Sequence, residues 1–195
     1  MSSRSSFIIA DTSVLLCFIC SNNETLLINF DPQRVIYVPQ AVADEMERKL
    51  TDRQFSCGSL TWNTLISSNR IHILEEPPTL LKIVRGWAGV RFSKEGGLAK
   101  NLGEYMAIAH CIEQSQQNPH HNIALIIDDG GGQELARKRQ VKTFDSAYVI
   151  ARAVQLKQIN TRSEAKNVWE QLNKFGILDP FDRTILNDPR LYRQT

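Results

Sequence analysis

The sequence predicts an α/β domain, a three-layer α/β/α sandwich around a mainly parallel sheet. Short apolar runs stand at Phe7–Ala10, Val35–Val38 and Ile123–Ile127, none with the polar alternation of a half-exposed strand. Helical periods and helix-capping sequences lie between them. Strands apolar on both faces that alternate with helices form a parallel sheet covered on both sides. The 195 residues, 42% hydrophobic and 23% charged, suit one folded domain and exclude intrinsic disorder.

The elements follow in order. After Phe7–Ala10, Asp11-Thr12-Ser13 supplies capping side chains for a helix over Val14–Cys20. Leu26–Phe30 continues helically, and the strand Val35–Val38 ends at Pro39, which opens a helix over Gln40–Leu50. A helix over Ser59–Ser67, a strand over Arg70–Leu74 and, beyond Pro77-Pro78, a helix over Leu80–Trp87 come next. Gly86, Gly89, Gly96 and Gly97 mark a flexible stretch around Arg91 and Lys94. Leu98, Leu102, Met106, Ala109 and Ile112 give a helical period to Leu98–Gln114, which a polar loop joins to Ile123–Ile127. Asp128-Asp129-Gly130-Gly131-Gly132 leads into a helix through Arg139, a short strand Val141–Thr143 and a helix from Asp145 to about Lys157.

Residues 1–160 form the main domain in this reading, with an insertion near 51–100. Residues 161–195 form a helical extension packed on it. Thr161 and Glu164 fit a capping box, Ala165, Val168, Trp169, Leu172 and Phe175 form an apolar stripe, and Gly176 suits the helix stop. From about Asp188 onward the chain is expected to be mobile or engaged in assembly.

The net charge of 23 − 21 = +2 announces neither nucleic acid nor membrane. The longest apolar run, Val14–Cys20, has seven residues, well short of the roughly 18 of a membrane span. Arg4 ahead of Phe7–Cys20 imitates a secretion signal, but Asp11 interrupts the apolar stretch and no small-x-small cleavage pattern follows. A soluble, cytoplasmic protein is expected. Cys17 and Cys20 lie inside an apolar helical run and read as core packing; Cys57 and Cys111 stand alone. His72, His110, His120 and His121 are scattered.

Ligands of parallel α/β sheets bind outside the carboxyl ends of the strands. Asp11 follows the first strand, Asp128 and Asp129 follow Ile123–Ile127, Glu45 lies on the helix after the second strand, and Glu104 lies near the buried stripe of the long helix. Each has a structural reading: the aspartates as helix caps, Glu45 as part of a solvated face. Together they form a candidate acidic site. Clustered carboxylates repel unless cations neutralise them, and oxygen-only ligation suits Mg²⁺ or Mn²⁺, which can activate water. The three glycines would let a bulky substrate backbone approach.

In order, Phe7-Ile-Ile-Ala-Asp11-Thr-Ser-Val-Leu, Val38-Pro-Gln-Ala-Val-Ala-Asp-Glu45, Leu102-Gly-Glu104-Tyr-Met-Ala-Ile-Ala and Leu125-Ile-Ile-Asp128-Asp129 resemble PIN domains. These are metal-dependent nucleases that include many toxins of bacterial toxin–antitoxin pairs. The resemblance covers roughly Phe7 to Lys157, and Ala136–Ile159 looks like the subgroup that carries a Gly-Glu motif. It implies Asp11, Glu45, Glu104 and Asp129 as catalytic residues. Mg²⁺ or Mn²⁺ would be held by Asp11, Glu104 and the Asp128/Asp129 pair, with Thr12 or Ser13 supporting the first aspartate. It further implies RNA as substrate, a cognate antitoxin or other protein inhibitor, and a homodimer. The chain departs from a minimal PIN domain in Thr51–Lys100, in the tail after Gln158, and in the three consecutive glycines.

Between Gly131 and Lys157, six basic residues (Arg137, Lys138, Arg139, Lys142, Arg152 and Lys157) face two acids, a local +4. Arg137, Lys138, Arg139 and Lys142 are the candidate phosphate contacts, with Arg91 and Lys94 as an additional clamp. A metal-dependent endoribonuclease is the leading expectation. The alternatives are a catalytically inactive PIN-like RNA- or protein-binding module and a DNA-directed phosphodiesterase. A haloacid-dehalogenase-type phosphotransferase would need a second aspartate where Ser13 stands.

Overall fold

The computed structural model describes residues 6–88 and 101–193. The expected helix start at Leu98, and Arg91 and Lys94, lie outside these residues. Five strands, β1 (Ser6–Ala10), β2 (Ile36–Pro39), β3 (Ile71–Leu74), β4 (Asn122–Ile126) and β5 (Thr143–Phe144), form one sheet in the order β3-β2-β1-β4-β5. Every adjacent pair is parallel, with Ile9 opposite Tyr37 and Leu125 on the two sides of β1.

The lack of alternation in β1 has the expected cause, since all five of its residues are buried. Ile8 and Ala10 enter one core, and Phe7 and Ile9 the other. Residues of β4 divide the same way, Ala124 and Ile126 against Leu125 and Ile127. The first core is closed by α1 (Thr12–Cys20), α2 (Glu24–Ile28), α3 (Gln40–Leu50), α4 (Ser59–Ser67), α8 (Ser146–Gln155) and α9 (Arg162–Leu172). On the other face lie α6 (Leu102–Gln117) and α7 (Gly130–Lys138). Outside them, α5 (Pro78–Ala88) packs Leu80 and Val84 on Met106 and Ala109 of α6. The result is the three-layer α/β/α sandwich. Cys17 and Cys20 are buried free thiols of the first core, as expected.

Within the expected insertion, Ile71–Leu74 is β3, one of the two outer strands of the sheet. No helix among the described residues is long and apolar enough to cross a membrane.

The tail docks on the first core. Thr161 Oγ1 accepts the N–H of Glu164, whose carboxylate returns to the N–H of Asn160, so two free donors at the start of α9 are satisfied. Ala165, Trp169 and Leu172 are buried, and the Trp169 indole donates to the Asp179 carbonyl at 3.0 Å. Gly176 serves close approach: a Cβ there would meet Cys17 Sγ at 2.5 Å. Past Asp188 the described chain adds one more element. A short 3₁₀ turn, Pro189–Tyr192, is capped by Asp188, packs Leu191 and Tyr192 on the core, and donates the Tyr192 hydroxyl to the Leu186 carbonyl.

Trp169→Ala should therefore destabilise the whole domain by about 3–5 kcal/mol, with a single urea transition. Trp169→Phe, which keeps most of the ring and loses the hydrogen bond, should cost about 1 kcal/mol more than the missing volume alone. A loss well under 1 kcal/mol for the alanine variant would mean that the tail does not share the core.

Candidate functional site

The order β3-β2-β1-β4-β5 reverses direction between β1 and β4. From β1 the chain runs through α1 toward β2, and from β4 through α7 toward β5, which leaves a crevice at their carboxyl ends. Asp11 leaves β1 there, its N–H still bonded to the Ile126 carbonyl at 3.0 Å. Asp128 and Asp129 leave β4 beside it, Glu45 comes from α3, and Glu104 from the first turn of α6. Their charges act on one another. Asp11 feels Glu45, Asp128 feels Asp11, and Glu104 feels both Asp129 and Asp11.

What each carboxylate touches decides what the crevice can do. Asp11 caps α1, its Oδ2 accepting the Ser13 hydroxyl at 2.9 Å and the Ser13 N–H at 3.4 Å. Thr12, the other candidate support, instead donates to Glu45 Oε2 at 2.9 Å, and Arg48 approaches Glu45 Oε1 at 3.8 Å. Asp128 reaches the start of α8. It accepts the Ser146 N–H at 2.8 Å and the Ser146 hydroxyl at 2.7 Å. Asp129, exposed, caps α7 by accepting the Gly132 N–H at 2.9 Å. Sequence reasoning missed Ser146; its place next to the cap residue Asp145 gave no sign that it would bond to another strand's aspartate.

Burial and neighbouring charge act on these groups in one direction. Asp11 and Asp128 are raised above the ordinary carboxylate range, mainly by burial. Glu104 is pushed up to about 7 by burial, then by Asp129 and Asp11. Near neutral pH it titrates, because ionising it places a third negative charge beside Asp129 and Asp11.

The expected Mg²⁺ or Mn²⁺ centre is therefore corrected. Among the described residues no three or more His, Cys, Asp or Glu side chains are grouped so that they could hold a metal ion. Asp11, Glu45, Asp128 and Asp129 instead accept from helix starts or hydroxyl groups. With the metal go the metal-dependent endoribonuclease and the toxin nuclease expected from them. The glycines also differ from expectation. Gly130, Gly131 and Gly132 are the first turn of α7 rather than an open loop. A Cβ on Gly132 would lie 2.3 Å from Ile127 Cδ1 and 2.9 Å from the Glu104 carboxylate, so the glycine seats α7 against β4 and α6.

The expected phosphate contacts have different environments. Lys138 pairs with Glu134 on its own helix at 2.8 Å, and the Arg139 guanidinium lies 3.8 Å from the Trp87 ring centre, tying α7 to α5. Arg137 and Lys142 are exposed and form no ion pair among the described residues. Lys142 Nζ lies 4.8 Å above Phe144, which stacks on Tyr148 at 4.4 Å; Phe30 meets both rings edge-on. Tyr148 is 39% exposed, and Arg152 follows one helical turn later. A strip of aromatic faces and cations thus borders the outer strand β5.

No protein-family model matches the chain, and no curated protein matches it.

The Glu104 carboxyl gives a direct test. Its folded pKa lies above the ordinary 4.5, so its favourable contribution is complete below that pH and is lost as pH rises through about 7. His110, pushed down to about 4 by burial, imposes the opposite slope. The difference between wild type and E104Q isolates the carboxyl. The variant should gain about 1–2 kcal/mol relative to wild type between acidic and neutral pH, after allowance for solvent screening. Urea midpoints measured across that range check it, and a pH-independent difference would contradict the assignment.

Proposed function

We propose that this chain is a PIN-like binding module that holds single-stranded RNA without cleaving it. The observation that carries the reading is the strip of Lys142, Phe144, Tyr148 and Arg152 along β5 and α8, with the exposed Arg137 in the last turn of α7 as a further cation. Stacking faces beside cations are what a flexible polyanion with exposed bases needs. The rings take bases without sequence preference, and the cations take phosphates. The acidic crevice fits a module of this kind because its carboxylates serve the scaffold: they fix the starts of α1, α7 and α8. The RNA rather than DNA preference comes from the resemblance of the motifs to PIN domains.

A fluorescein-labelled oligouridylate followed by anisotropy at low salt tests this. Tyr148→Ala should weaken binding by the loss of one stacked base, about 1–3 kcal/mol or roughly 5- to 150-fold. Lys142→Ala and Arg137→Ala should weaken it less and flatten the salt dependence, by about 0.7 in the log–log slope for each phosphate that is no longer neutralised. The RNA should remain intact after prolonged incubation with Mg²⁺ or Mn²⁺. Absence of binding at low salt, or equal binding by the Tyr148→Ala and Lys142→Ala variants, would refute the reading.

A further inference from the structure

The far side of the sheet carries a different surface. Where β3 ends, Glu75, Glu76, Pro77 and Pro78 turn the chain into α5, and with His110 and Glu113 of α6 they line a cavity of about 530 Å³. That volume lies within the roughly 300–1,000 Å³ of ligand pockets. Glu113 also lines a second, smaller cavity of about 150 Å³ between α5 and α6, walled by Leu80, Ile83, Trp87 and Ile112. The two cavities meet at Glu113, one lined by acids and the other largely apolar, and are treated together as a groove.

Three features of the acidic end call for a ligand that donates hydrogen bonds and carries positive charge. Its lining holds three carboxylates and no lysine or arginine. Glu76 is held by the Ala41 N–H at 2.6 Å, whereas Glu75 and Glu113 form no ion pair among the described residues. His110 is only 3% exposed, and its Nε2 has no hydrogen-bond partner among the described residues, although it lines the cavity. A buried polar nitrogen left without a partner is costly, and native structures satisfy nearly all of them. Burial keeps that imidazole neutral at physiological pH, so it can accept a hydrogen bond.

We infer that this groove docks a partner polypeptide, receiving an arginine side chain among Glu75, Glu113 and His110 and an adjacent apolar side chain between α5 and α6. A guanidinium spreads five donors over a plane and can meet two carboxylates and a neutral imidazole together. The apolar end, where Ile83 is 46% exposed, gives a peptide purchase that a bare cation lacks. The groove is independent of the RNA reading, and neither its residues nor its ligand chemistry overlaps with the strip along β5.

Nuclear magnetic resonance on the full chain tests the inference, with the His110 ring and the three tryptophan indoles as reporters. Trp87 lines the groove; Trp62 and Trp169 are buried in the other core. Acetyl-leucyl-arginine amide should shift His110 and Trp87 and leave Trp62 and Trp169 in place. Acetyl-leucyl-glutamine amide should bind at least tenfold more weakly. The Glu75→Gln/Glu113→Gln double variant, judged folded by its unchanged Trp62 and Trp169 signals, should also bind the arginine peptide at least tenfold more weakly. Equal binding of the two peptides, or no shift of His110 and Trp87 at millimolar peptide, would overturn the proposal. Acetyl-arginine amide binding as tightly as the dipeptide would make the site one for a lone cation and overturn the peptide assignment. Movement of the His110 signal in peptide-free Arg91→Gln/Lys94→Gln protein, or with protein concentration, would assign the groove to the chain itself or to a second copy, and would overturn the partner.

Discussion

Crowding of negative charge at the carboxyl edge of a parallel sheet is the constraint that organises this protein. Asp11, Asp128 and Asp129 leave adjacent strands at the point where the chain reverses direction, and Glu45 and Glu104 are brought there by α3 and α6. A carboxylate removed from water needs either a cation or several hydrogen-bond donors. Here donors answer most of them. Ser13 serves Asp11, Thr12 serves Glu45, Ser146 serves Asp128, and the Gly132 N–H serves Asp129. Glu104, half-buried beside Asp129 and Asp11 and with no such donor among the described residues, is pushed up to about 7. Most of these bonds also fix a helix. The starts of α1, α7 and α8 are held to the ends of β1 and β4 by the same carboxylates that would otherwise drive them apart.

Much of this fold was legible because its strands are buried on both faces. Phe7–Ala10 and Ile123–Ile127 carry no alternation, and their side chains do divide between two cores. The caps at Asp11 and Asp129 and the box at Thr161 were legible too, since a capping residue acts within a few positions of itself. The candidate site was legible only as a collection of acids. Whether a carboxylate faces a crevice or a helix start depends on which distant donor reaches it. Asp128 is claimed by Ser146, eighteen residues away and across the next strand. The same limit hid Gly132 and Gly176. Three glycines after two aspartates read as an open loop, but Gly132 is excluded from bearing a Cβ by Ile127 and Glu104, and Gly176 by Cys17.

The basic run from Arg137 to Lys142 illustrates how a charge count dissolves into individual environments. Two of its four cations are already engaged, Lys138 by Glu134 and Arg139 by the Trp87 face, at a surface where ion pairs contribute little and stacking contributes somewhat more. What is left, Arg137 and Lys142, is a weaker electrostatic footprint than the sequence total implied. The aromatic neighbours of Lys142 then matter more than the count, because Phe144 and Tyr148 offer an interaction that salt does not screen.

A net charge of only +2 conceals two surfaces of opposite sign at the two outer strands of the sheet. The cation–aromatic strip borders β5, and the acidic end of the α5–α6 groove begins where β3 ends. Five strands at about 4.8 Å spacing separate β3 from β5 by about 19 Å, more than two Debye lengths of about 8 Å at physiological ionic strength. At that distance the patches scarcely neutralise one another through solvent. Each keeps its own field, and a polyanion on one edge and a cationic peptide on the other would meet little of the opposing charge. The rigid parallel sheet thus lets a nearly neutral chain present two distinct electrostatic faces without either cancelling the other.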